Sequence, residues 1–215
     1  MKRNLDLSVY LITDRDLCGA RGVTDTVREA IAGGASVVEL RDLEARTGAL
    51  VEQARALAAM LKPAGIPFVV SDRIDVALAA DADGVHVRGG DMAPADARKL
   101  IGRKRILGLS VTGDGDLDAD KLAVADFLVV GPTYPSLAKP DPAQPLALAG
   151  LNDIRAMTKL PIVAIGGLHA GNAAEAIAAG ADGVAVVSAI CSAADAEAAT
   201  RELKEVVAGA LKARD

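Results

Sequence analysis

The sequence predicts an α/β chain folded as a single (β/α)8 TIM barrel over residues 1–215. Three observations predict it. The skeleton Ala-Asp-Gly-Val-x-Val occurs twice, at Ala82–Val87 and Ala181–Val186, each time after an alanine-rich stretch of helical composition, which is the cadence of a βα repeat. Eight short β-branched runs, unbroken by alternating polar residues, have the composition of strands buried on both faces, as in a parallel sheet covered by helices. The stretches between them have helical length and pattern, and eight such units fit a closed barrel better than an open sheet.

In order, Ser8–Ile12 opens the barrel and ends on Thr13-Asp14-Arg15. Val37–Leu40 follows a helix closed by Ala and Gly, and runs into Arg41-Asp42. Phe68–Val70 precedes Ser71-Asp72-Arg73, and Gly84–Val87 precedes Arg88-Gly89-Gly90-Asp91. Ile106–Ser110 leads to Val111-Thr112. Phe127–Val130 enters GPTYPSLAKPDPAQP, five prolines in fifteen residues. Ile162–Ile165 gives way to Gly166-Gly167-Leu168, and Gly183–Val187 to Ser188. Every end carries a charge, a hydroxyl or a glycine.

A chain of 215 residues suits one barrel and can bury a full core. Aromatics make up only 2%, without Trp, so the core is expected to be built from Ala, Val, Leu and Ile. The net charge of −5, with Lys and Arg dispersed, gives no support to a nucleic-acid partner. Cys18 and Cys191 are too isolated for a disulfide framework or a thiolate metal site and are expected to be free thiols in a reducing compartment. No stretch approaches the roughly twenty apolar residues of a membrane span, so a cytoplasmic protein acting on small molecules is expected. The number of subunits stays open, a homo-oligomer included.

In a parallel barrel the chemistry is built from the loops after the strands. Gly166 and Gly167, with Ser188 after the next strand, have the makings of a phosphate cradle, or the glycines only permit a tight turn. Asp72 and Asp91 follow neighbouring strands, where two carboxylates suit Mg2+ with a phosphorylated substrate; the alternative is that each caps a helix. The stiff proline-rich segment would hold Ser136 and Lys139 over the mouth as a clamp, or serve as a spacer. His86, inside an apolar strand, is expected to be a satisfied core residue and His169 an exposed one. Two separated histidines give no expectation of a Ser-His-Asp set, a nucleophilic Cys-His pair or a zinc-ligand cluster.

The motifs LITDR, VELRD, SDRIDVALAADADGVHV, DM, GPTYPSLAKP, IGGL and ADGVAVVSAI occur in that order. With them the chain resembles the thiamine phosphate synthase family over nearly its whole length. The resemblance implies the same barrel and a reaction joining hydroxymethylpyrimidine diphosphate to a thiazole phosphate, with pyrophosphate released. It implies Mg2+ as cofactor on Asp72 and Asp91, Arg41 and Lys139 on the pyrophosphate, and Ser110 beside the reacting pyrimidine. Ser110 and Lys139 are thereby the implied catalytic residues. Gly167, Val187 and Ser188 match the thiazole-phosphate cradle, and Ser136–Ala138 the loop that contacts it.

The departures concentrate on the pyrimidine diphosphate. Where the family usually has Gln-x-Arg-x-Lys, this chain has Glu39-Leu40-Arg41-Asp42-Leu43. The usual Asn before the metal-binding Asp is Ser71, the Thr before the lysine is Ala138, and Gly-Gln-x-Asp becomes Arg88-Gly89-Gly90-Asp91. Leu43 removes a cation and Glu39 adds a negative charge, so weaker diphosphate binding is expected, with Arg88 and Arg46 the candidates to replace the cation. Two alternatives stand beside the synthase. One is the family's tautomerase branch, whose histidine after strand five corresponds to Thr112 here; the other is a catalytically weak phosphate-ligand binding protein.

Overall fold

The computed structural model describes residues 5–135 and 145–214. Eight strands, β1 (Val9–Ile12), β2 (Val37–Leu40), β3 (Phe68–Ser71), β4 (Gly84–Val87), β5 (Ile106–Val111), β6 (Phe127–Val130), β7 (Ile162–Ile165) and β8 (Gly183–Val186), pair in parallel in chain order. β8 returns to β1 through Val9↔Val184 and closes the ring. Helices connect the strands, from Gly22–Gly33 after β1 to Ala196–Arg214 after β8. Short helices Arg15–Cys18 and Ser188–Cys191 sit directly after β1 and β8. No helix among the described residues is long and apolar enough to cross a membrane.

The core has two layers, as strands buried on both faces require. The outer one packs alternate strand residues such as Val38, Val70, Val85 and Leu107 against helix residues such as Val27, Leu57 and Leu203. The inner one fills the barrel with Tyr10, Ile12, Val37, Val69, Ile106, Phe127, Val129, Val163 and Ala185. The expectation of a purely aliphatic core is therefore corrected inside the barrel, where the Tyr10 and Phe127 rings lie 5.8 Å apart. Gly108, opposite Phe127 in the β5–β6 register, leaves that ring its space.

The repeated hexapeptide has a structural meaning. The Asp83 carboxylate, just before β4, accepts the Phe68 N–H at the start of β3 at 2.9 Å, and Asp182, before β8, accepts the Ile162 N–H of β7 at 2.9 Å. Asp126 does the same before β6 for Leu107 of β5 at 2.8 Å, and the Ser36 hydroxyl does it before β2 for Val9 of β1 at 3.0 Å. The residue before each even strand thus satisfies a donor at the foot of the odd strand preceding it, where an unpaired buried N–H would be costly.

The glycine that follows is required by close approach. A Cβ on Gly84 would lie 2.5 Å from the Ile106 carbonyl oxygen, and one on Gly183 would strike the Leu7 carbonyl. Gly84→Ala and Gly183→Ala are each expected to lower stability by about 1–3 kcal/mol, the usual range for overpacking. Urea unfolding midpoints equal to that of the unmutated protein would refute this.

Candidate active site

A cavity of about 480 Å³ opens at the carboxyl ends of the strands. Its wall includes Glu39, Arg41, Ser71, His86, Arg88, Ser110, Thr112, Gly166, Gly167, Val187 and Ser188. Strand parity decides several of these. In β2, Val37 points into the barrel and so does Glu39, two residues on; in β3, Val69 and Ser71 share the inward face; in β5, Ile106 and Ser110 do. His86 is paired in register with inward Ser71 on one side and with Gly108 on the other.

These inward residues form one hydrogen-bonded chain. The Tyr10 hydroxyl donates to Glu39 Oε2 at 2.9 Å, and His86 Nδ1 lies 3.0 and 3.2 Å from the two Glu39 oxygens. His86 Nε2 is 2.9 Å from Ser110 Oγ. Glu39 is 1% exposed and His86 3%. His86 is buried with both ring nitrogens partnered, as expected of a satisfied core residue, and it lines the cavity as well. A set the sequence did not suggest assembles around it, with Glu39 as the acid and Ser110 as the hydroxyl. Glu39 also turns its charge onto buried partners rather than outward. An ionised carboxylate only accepts, so the His86 Nδ1–H must be the donor in that contact.

Burial opposes ionisation of Glu39, but the charge that His86 can carry and the hydrogen bonds from His86 and Tyr10 outweigh it, leaving the carboxyl below its ordinary value. Burial, reinforced by the Glu39 charge, pushes the Tyr10 phenol well above its own. The Ser71 hydroxyl is buried in the same wall near Glu39, whose carboxyl it helps to hold low, without meeting a partner in full hydrogen-bond geometry among the described residues.

Asp72 and Asp91 do not line the cavity; Arg88 does, and holds them both. Its Nη2 is 3.4 Å from Asp72 Oδ2 and its Nε 3.4 Å from Asp91 Oδ2, while its backbone N–H donates to Asp91 at 2.8 Å. Burial raises the Asp72 carboxyl above its ordinary value, the Arg88 charge opposes this, and the Asp91 charge adds to it. The helix-cap alternative does not hold, since the helices Ile74–Ala79 and Pro94–Ile101 take Arg73 and Ala93 as caps. Asp72 has φ of 53°, a left-handed conformation that Asp and Asn tolerate better than other side-chain-bearing residues. Among the described residues no three His, Cys, Asp or Glu side chains form a metal cluster.

On the other side of the mouth, Gly166 and Gly167 have φ of 102° and 63°. A Cβ at Gly166 would lie 2.6 Å from Pro132, and one at Gly167 2.7 Å from the Pro135 carbonyl. The glycines therefore make the tight turn and line the cavity at once, with Val187 and Ser188 next to them. Arg41 lines the wall with its guanidinium 2.9 Å from Asp14. Leu43 is 64% exposed and, like the exposed Arg46, lies outside the lining. Thr112 bonds Asp116 through its N–H and hydroxyl at 2.7 and 2.8 Å. Ser136, Ala138 and Lys139 lie outside the described residues.

Residues 9–190 match the thiamine monophosphate synthase family. The chain belongs to that family. A thiamine-phosphate synthase of Xanthobacter autotrophicus is 52% identical over 210 residues, covering 98% of this chain and all of the relative. One of Azorhizobium caulinodans is 45% identical, covering 96% of this chain and 98% of the relative. Among solved structures, the thiamine phosphate pyrophosphorylase of Pyrococcus furiosus superposes with a TM-score of 0.88 at 38% identity, covering 96% of this chain and 98% of that one. Family membership makes the chain a transferase of thiamine biosynthesis. A 3-hexulose-6-phosphate synthase, 19% identical with a TM-score of 0.63, covers 93% of this chain and 99% of its own and shares the barrel alone.

Proposed function

We propose that the protein condenses hydroxymethylpyrimidine diphosphate with a thiazole phosphate, giving thiamine phosphate and pyrophosphate, and that residues 1–215 form one catalytic domain working in the cytoplasm. The observation that carries this is one mouth cavity walled by Arg41 and Arg88 on one side, by Gly166, Gly167, Val187 and Ser188 on the other, and by Ser110 among them. The diphosphate belongs against the arginines and the thiazole phosphate against the glycines and Ser188, with Lys139 and the Ser136–Ala138 stretch completing the two ends.

A reaction in which pyrophosphate departs needs electrostatic stabilisation of the leaving group more than a strong base. Arg41 contributes charge there, and Asp72 and Asp91 would hold Mg2+. The two carboxylates already share one positive group, the Arg88 guanidinium, and form an oxygen-only donor set, which suits that ion. Mg2+, when bound, neutralises charge developing on the leaving group. Ser110 touches the pyrimidine. His86 Nε2 holds the Ser110 hydroxyl at 2.9 Å and fixes its place in the wall beside the pyrimidine.

Incubation with both substrates and Mg2+ is expected to yield thiamine phosphate and pyrophosphate in equal amounts, read by chromatography. Binding of the thiazole phosphate without turnover at any Mg2+ concentration would refute the synthase assignment and favour a phosphate-binding protein.

A further inference from the structure

Arg41 and Arg88 are the cations among the described residues lining the cavity, and they are engaged differently. Arg41 is held by Asp14, away from the carboxylate pair. Arg88 is held by Asp72 and Asp91 themselves, which lie outside the lining and meet the cavity through it. A guanidinium and a divalent cation cannot share that position, because like charges at such separations repel strongly where water is partly excluded. Both side-chain contacts are 3.4 Å, longer than the roughly 2.7–2.9 Å of a strong charge-assisted hydrogen bond, so the side chain is held by charge rather than by fitted geometry. Gly89 and Gly90 follow it with nothing within 4 Å of a Cβ at either, so no neighbouring side chain blocks a turn of the Arg88 side chain from that loop.

Resting on the metal assignment above, we propose that Arg88 is a displaceable cation. It neutralises Asp72 and Asp91 in the free protein, gives up that position to the divalent ion, and turns onto the diphosphate. There its planar fork matches phosphate oxygens and supplies the positive charge that the exposed Leu43 does not. Arg88 stands where the family resemblance places a glycine, which cannot act in this way.

Calorimetric titration of the whole protein with Mg2+ alone, and with pyrophosphate at saturating Mg2+, tests this directly. Arg88→Ala is expected to bind Mg2+ alone about tenfold more tightly, since a competing charge is gone, and pyrophosphate about tenfold more weakly, since a charge-assisted contact is gone. Arg88→Gly, carrying the residue of the family pattern, is expected to behave the same way and serves if the alanine variant does not fold. Either constant staying within about twofold of the unmutated value overturns the proposal. Asp72→Asn and Asp91→Asn, titrated in parallel, separate the two assignments. If they leave Mg2+ affinity unchanged, the metal site is wrong and the role of Arg88 falls with it; if they weaken it while Arg88→Ala does not change it, only the role of Arg88 is wrong.

Discussion

Asp72→Asn and Asp91→Asn are each expected to lower kcat/KM at least about a hundredfold, which needs only about 2.7 kcal/mol of lost transition-state stabilisation. Asparagine is the informative replacement. At Asp72 the backbone has φ of 53°, and alanine there would add strain to the loss of the carboxylate, whereas Asn accepts that conformation. At Asp91 the side chain also accepts the Arg88 backbone N–H, which an amide oxygen can still do. Thermal unfolding should therefore stay near that of the unmutated protein while activity is lost. Steady-state rates over a Mg2+ titration read the outcome: full kcat/KM in either variant would remove that carboxylate from the reaction.

Glu39 should show the largest effect on stability. Leaving a buried polar group unsatisfied costs about 1–3 kcal/mol, so Glu39→Ala, which strands both His86 and the Tyr10 hydroxyl, should lose about 2–6 kcal/mol. Glu39→Gln keeps the shape and an oxygen to accept from His86 and should lose much less. The pH dependence has a definite sign. The folded carboxyl of Glu39 lies below its ordinary value of 4.5, so its contribution is fully present above that pH and is lost as pH falls through the lowered value. The stability gap between the unmutated protein and Glu39→Gln should narrow as pH falls below 4.5. Urea midpoints at neutral pH and in acid check both statements, and a gap that widens in acid would contradict the assigned charge. Because Glu39 spends its charge on buried partners, Glu39→Gln should not by itself strengthen pyrophosphate binding.

All eight strands were legible from their β-branched runs, each within one residue of the observed ends, because strands buried on both faces have little else to be made of. The residues after the strands were legible too, since a parallel barrel puts its loops at one mouth. The Glu39–His86–Ser110 chain was not. It joins side chains 47 and 24 positions apart, and nothing in a local window relates them. The signal was parity: Glu39, Ser71 and Ser110 each sit an even number of residues after an inward apolar residue near the top of a strand. A histidine flanked by valines in one strand reads as core until its neighbours across the ladder are known. Leu43 differs in the opposite direction: its place in a motif suggested a site position, and it stands exposed and outside the described lining of the cavity.

The four ties at the foot of the barrel bear on how such a ring can be assembled. They span 27, 15, 19 and 20 positions, all inside one strand–helix–strand stretch. Closing loops of that size costs little more entropy than closing much shorter ones. Each quarter of the ring can therefore settle its own alignment from nearby sequence, with β1 and β2, β3 and β4, β5 and β6, and β7 and β8 as partners. Among the described residues the seams between quarters carry no such tie at the foot, and the seam between β8 and β1 joins strands from opposite ends of the chain. The register of the ring is thus pinned in four local pieces, and only the pairing of β8 with β1 joins the two ends of the chain.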